Sequence, residues 1–191
     1  MTSVHPEIRL DIESLLEYTF NSTSYFEEAL HATGFTNSRG FRYGHQRLAF
    51  LGDRLLSLVL ADLWYPKHLS RKQMGRKQEH FASNESLEHI TQYLGLHFYI
   101  MTAPPHHTKQ MNERTIASTF EALLGAVWLD SGKNFWAVKA ATESLLGATC
   151  CQCGYGLLDA CKSIHNENPH KREWYWTKWE KYESLFAKRI I

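Results

Sequence analysis

The sequence predicts an all-α fold, and three observations carry that expectation. Leu48, Leu51, Leu55, Val59 and Leu63 recur at steps of three and four between His45 and Tyr65, the spacing of one buried helical face. Glu113–Leu129 reads as a second long helix, apolar on nearly all sides. Few segments alternate with the period of two that a half-buried strand requires. Helices alone then have to build the core.

The elements follow in order. Asp11–Phe20 reads as a short amphipathic helix with Ile12, Leu15, Leu16 and Phe20 inward. Asn21–Ser24 is a polar break that offers N-caps, and Ser24–Ala32 restarts a helix. Gly34–Gly44 is a loop rich in Gly, Asn and Ser that feeds the central helix. Leu56 and Leu60 widen that helix's apolar face, so it is expected to be wrapped on most sides. Gly52 sits mid-helix, where glycine costs about 1 kcal/mol relative to alanine. Another backbone passing close by would explain it. Asp53 follows among apolar neighbours, and a buried carboxylate must be paired, protonated or metal-bound. Pro66 stops the helix. His68–Lys77 is basic, Gln78–Leu94 reads as one helix, and Gly95 stands where a C-terminal glycine belongs. Thr102–Asn112, with His106 and His107, is a surface loop. Phe135–Leu146 is the last helix.

Composition bounds the function. The chain has 191 residues, 43% of them hydrophobic, and a net charge of +1. That size suits one domain, 1–147, and an appendage, 148–191. No apolar run is long enough to span a bilayer. A charge near zero supplies no global field for nucleic acid, so any RNA contact must use local basic patches. Cys150, Cys151, Cys153 and Cys161 lack the spacing of a secreted disulfide framework, which points to an intracellular, reducing compartment. The cytoplasm is the default, with a mitochondrial setting open.

The central helix also carries a motif. Gln46-Arg47-Leu48-Ala49-Phe50-Leu51-Gly52-Asp53 resembles the signature motif of the ribonuclease III family, Glu-Arg-Leu-Glu-Phe-Leu-Gly-Asp. Downstream, Ala117-Ser118-Thr119-Phe120-Glu121-Ala122-Leu123-Leu124-Gly125-Ala126-Val127-Trp128-Leu129-Asp130-Ser131-Gly132 resembles the family's second motif. The resemblance covers roughly Ile12 to Leu146. It implies a ribonuclease III endonuclease-domain-like helical bundle, here with an extra aromatic and basic C-terminal tail. It also implies Mg²⁺- or Mn²⁺-dependent cleavage of double-stranded RNA, in which metal ions activate water and stabilise the leaving oxygen.

The resemblance places the family's four metal-binding acids at Ala49, Asp53, Ser118 and Glu121, and a supporting Glu at Gln46. Two acids are missing, and Mg²⁺ is held chiefly by carboxylates, water and phosphate. Asp53 and Glu121 are the residual catalytic and metal-binding pair. Ser118 reads as a packed hydroxyl bonded to its own helix. The expectation is a degenerate domain with no cofactor. The alternative is a minimal Mg²⁺- or Mn²⁺-dependent endonuclease, alone or completed in a heterodimer. The family's phenylalanine, here Phe50, plugs a pocket of a partner domain; with Gly52 it marks an interface for a homodimer or a heterodimer with another ribonuclease III-like domain.

Arg71, Lys72, Arg76 and Lys77 could follow an RNA backbone or form solvated surface. His45 could cap the signature helix or touch phosphate, a capping or surface role being preferred. The four cysteines, with His165 and His170, could ligate zinc, though free buried thiols fit their spacing better. In the tail, Trp174, Trp176, Trp179, Tyr182 and Phe186 could stack on RNA or dock on protein. The tail is shorter than the double-stranded-RNA-binding domain that full-length family members carry, and does not resemble it.

Overall fold

The computed structural model describes residues 6–32, 41, 43–102 and 111–147. The expected loop with His106 and His107, most of the loop before the central helix, and the Cys-containing linker and tail lie outside the described residues. Within them the chain forms seven α-helices: α1 Pro6–Leu16, α2 Thr23–Leu30, α3 Gln46–Trp64, α4 Arg71–Phe81, α5 Asn84–Tyr93, α6 Glu113–Asp130 and α7 Phe135–Gly147. Two 3₁₀ turns, Tyr65–Lys67 and Leu96–Tyr99, complete the regular structure. The fold is all-α, as the periodicity predicts. Extended pairing among the described residues is limited to one bridge, His31 with Met101.

α6 is the hub. It packs most extensively on α3, then on α5 and α2. Its residues Ala122 to Val127 are all buried, which is why its sequence is apolar on nearly every side. α3 and α6 meet backbone to backbone. A Cβ placed on Gly52 would overlap the Glu121 carbonyl, and one on Gly125 would overlap the Leu48 carbonyl. Each glycine lies four residues from the residue whose carbonyl meets the other, so the two helices cross antiparallel. The close backbone approach inferred from Gly52 is present; its mate Gly125 is hidden inside the second motif.

α3 differs from expectation on its outer side. Leu48, Leu55, Leu56, Val59, Leu60 and Trp64 are buried, but Phe50, Leu58 and Tyr65 are 69%, 54% and 80% exposed. The helix therefore has one open face rather than cover on most sides. Asp53 is only partly buried, so it is not the enclosed charge that its apolar neighbours suggest.

The ends of the helices follow from local chemistry. α1 starts earlier than expected and stops at Leu16, yet Phe20 still reaches the core. The buried Glu13 carboxylate explains this, accepting from Arg9 Nε (2.8 Å) and from the Phe20 backbone N–H (2.9 Å). The expected single helix Gln78–Leu94 is two helices. Ser83 caps α5 by accepting from the Ser86 N–H, and a cap of this kind starts a new helix. Upstream, Ser70 and Gln73 form a capping box that starts α4. Gly95 has φ +69°, as its position after α5 requires. Asp130, at the end of α6, accepts from the Tyr18 hydroxyl (2.8 Å) and from the backbone N–H groups of Asn21 (2.7 Å) and Ser22 (2.8 Å). It clasps the α1–α2 turn to the hub.

The glycine crossing yields a stability prediction. Gly52→Ala and Gly125→Ala gain helix propensity of about 1 kcal/mol, but each drives a methyl into a facing carbonyl that can yield only if a helix moves. Overpacking against rigid neighbours costs typically ~1–3 kcal/mol or more. Urea titration is expected to show both variants destabilised despite the propensity gain, whereas Gly75→Ala, with open space at its Cβ, is expected to stabilise.

Candidate functional site

The glycine contact sets the level of everything on the α3–α6 edge. Gly52 rests on the backbone of Glu121, and Asp53 is the next residue of α3. The two carboxylates interact: burial first and the charge of Asp53 second push the Glu121 carboxyl up to about 7. Arg114 and Arg54 pull in the opposite direction. Arg54 ion-pairs with Asp53, and its guanidinium lies 5.1 Å from the centre of the Phe50 ring. Ala49, one turn before Asp53, is buried at 5% exposure. Ser118, one turn before Glu121, is partly exposed, and Gln46 is exposed. Among the described residues no three His, Cys, Asp or Glu side chains converge as a metal cluster.

Arg114, Ser118 and Glu121 fall within roughly 60° of one another around α6, at 100° per residue. They line one strip of α6, and Glu121 on it lies against Gly52 of α3, the residue before Asp53. From the sequence, Arg47, Arg54 or a local N–H group are the candidates to hold Asp53 and Glu121, and the ion pair selects Arg54 for Asp53. Arg114 is not singled out by the motif, the signal available being a cation seven residues before Glu121.

The basic run divides. Arg71, Lys72 and Arg76 are exposed on α4. Lys77 instead turns back on the domain, its ammonium 5.9 Å from the Trp64 ring and 6.0 Å from Phe81. Phe50, Leu58 and Tyr65 lie within about 80° around α3 and its 3₁₀ extension, forming the open apolar face. Gly52 lies on the opposite side, buried against its own chain's α6. It offers no surface to a partner and instead sets the position of the helix that carries Phe50.

His45 stands at the N-cap position of α3, but its side chain does not cap and it is not a surface residue. No side-chain cap bond forms; the ring is buried, bonds to the Ala29 backbone and lies 3.5 Å from Thr119 Oγ1. His31 is buried beside it, with Nδ1 2.5 Å from the Glu27 carbonyl oxygen. Burial and the neighbouring His31 hold the His45 imidazole down at about 4.

This arrangement of helices is that of a nuclease domain. The crystal structure of the nuclease domain of ribonuclease III from Campylobacter jejuni aligns with a TM-score of 0.65 at 23% identity, over 75% of this chain and 96% of that one. A second structure of that domain gives 0.63 at 24% identity. Residues 46–132 match the Ribonuclease III domain family, and the chain carries a ribonuclease III domain. Ribonuclease 3 of Sinorhizobium fredii is 32% identical over 136 residues, 68% of this chain and 55% of that protein. Ribonuclease 3 of Phytoplasma mali is 33% identical over 90 residues, 46% of this chain and 40% of that protein. The chain spans about half the length of such relatives. No helix among the described residues is long and apolar enough to cross a membrane.

The buried histidines predict acid sensitivity. A group held near 4 when folded and near 6.5 when unfolded takes up its proton on unfolding between those values. Its contribution is complete above 6.5 and is lost as pH falls toward 4. For His45 that loss amounts to about 3 kcal/mol, and the His31 pKa is lowered in the same direction. Glu121, held up at about 7, works in the opposite sense over the same range, so the histidine contribution is read by difference. Between pH 7 and pH 4.5 the denaturation midpoint of the wild type is expected to fall relative to that of His45→Gln.

Proposed function

We propose that this ribonuclease III domain binds structured or double-stranded RNA, pairs through α3, and does not cut by the metal-ion route that its family implies. The setting is RNA processing or an RNA–protein assembly. The observation that carries this reading is the state of the four metal-ligand positions. Ala49 is buried and apolar, Ser118 is a neutral hydroxyl, and Asp53 is already paired with Arg54. Only Glu121 remains an unreplaced acid outside that ion pair, and Arg54 and Arg114 both act on it. Such a set does not fit a pair of divalent ions, each of which needs several oxygen ligands. No step of hydrolysis is derived through them.

Binding without cutting suits what the surface offers. Duplex RNA is read mainly through shape and phosphate contacts, and Arg71, Lys72 and Arg76 stand exposed on α4. Pairing suits the open face of α3, where three large apolar side chains stand together. A Campylobacter jejuni nuclease-domain structure describes a region involved in dimer formation. The partner is a second copy or another ribonuclease III-like domain.

Duplex RNA incubated with the protein in Mg²⁺ or Mn²⁺ is expected to shift on a native gel and remain intact. Short products that disappear in Asp53→Asn would establish the endonuclease instead. For pairing, sedimentation velocity is expected to report a dimer whose association weakens at least tenfold in Phe50→Asp. Folding of that variant should be intact, since Phe50 is mostly outside the core.

A further inference from the structure

The α3–α6 cleft holds two carboxylates, Asp53 and Glu121, and two guanidinium groups, Arg54 and Arg114. Metal-binding clefts gather anions and leave the cation to be supplied from solution. Here the chain supplies its own cations. We propose that Arg54 and Arg114 stand in for the divalent ions and bind the phosphodiester backbone of structured RNA directly, with the Ser118 hydroxyl as a further donor. This rests on the reading of the domain as an RNA binder and specifies how its cleft takes part.

The geometry supports each role. Arg54 is held on two sides, by the Asp53 carboxylate and the Phe50 ring, while its side chain stays 65% exposed. A guanidinium has five N–H donors in a planar fork, so pairing with one carboxylate leaves others for phosphate oxygens. Arg114 is exposed at the start of α6, on the same strip as Ser118 and Glu121. Its N-terminal position adds the positive end of an 18-residue helix. Arg54 pairs with Asp53, which the Gly52 contact sets level with Glu121, and Arg114 shares the Glu121 strip of α6, so the two arginines border one stretch of the α3–α6 edge. Ala49 adds no anion there to repel a phosphate.

The test is fluorescence anisotropy with a labelled duplex RNA, in EDTA and in millimolar Mg²⁺, for the wild type, Arg54→Ala, Arg114→Ala and the double variant. Circular dichroism confirms that each is folded. Wild-type binding is expected to need no divalent ion, with affinity in EDTA at least equal to that in Mg²⁺, which competes for the phosphates. Each single variant should weaken binding about three- to tenfold in EDTA. The slope of log K against log salt should become shallower by about 0.7–0.9 for each phosphate that is no longer neutralised. Calorimetry with MnCl₂ alone should detect no site in the wild type, and a weak one in the double variant, where Asp53 and Glu121 are without their guanidinium partners.

Binding that requires Mg²⁺, or a manganese site in the wild type, overturns this inference while RNA binding stands. Metal-independent binding that neither arginine affects does the same and moves the RNA contact elsewhere, α4 included. No binding of duplex RNA under any condition overturns the proposed function itself.

Discussion

Two helix backbones in contact govern this domain. Gly52 lies against the carbonyl of Glu121, and Gly125 lies against the carbonyl of Leu48. With any side chain at either glycine, α3 and α6 would have to separate, and every layer built on α6 would follow. The cost of two mid-helix glycines, about 1 kcal/mol each, is offset by the dispersion and apolar burial that close packing along both helices provides. Asp130 at one end of α6 and the Leu30–Met101 backbone pairing near α2 then tie the peripheral segments to that pair.

The same contact dictates the electrostatics. Because Gly52 rests on Glu121, Asp53 and Glu121 sit at one level, and the Asp53 charge makes Glu121 harder to ionise. Two like charges at a half-buried edge need compensation. A metal site would bring it from solution. This chain carries Arg54 directly after Asp53 and Arg114 two turns before Glu121, both acting on that edge. Exposed ion pairs contribute little to folding, so the arginines matter for what the cleft can bind far more than for its stability.

Much of this is legible in the sequence, for reasons that can be assigned. Periodicity marks α3, α6 and α7 because long buried helices repeat their apolar faces over many turns. Gly52 announces a close approach because nothing else justifies a glycine there. Gly125 is lost among small apolar neighbours, where glycine reads as packing. The break between α4 and α5 escapes periodicity because it depends on one capping serine, Ser83, inside an otherwise helical run. His45 reads as a surface residue because the position before a helix usually is one, and only tertiary packing of Ala29 and Thr119 shows otherwise. The open face of α3 is obscured because Phe50 and Leu58 are as apolar as the core residues beside them. Periodicity identifies an apolar side chain, and only the packed fold shows whether anything covers it.

α3 carries three demands at once, and helical geometry distributes them around its axis. Leu48 and Gly52 face α6. Asp53 and Ala49 stand at the edge of that contact, roughly 60–100° around the helix, and Phe50 lies about 160° from Gly52 on the open side. Scaffold and outer face are therefore opposite strips of one helix, and Arg54, ion-paired with Asp53 and stacked on Phe50, links the edge of the α6 contact to the outer face. Changing Glu to Ala at position 49, or Asp to Ser at 118, alters the charge of the cleft without touching the backbone contact that holds the helices together. A substitution at Gly52 or Gly125 cannot be confined in that way, because it moves α3 and everything it presents. The separation lets the charge at positions 49 and 118 vary while Gly52, Gly125 and Phe50 keep their places.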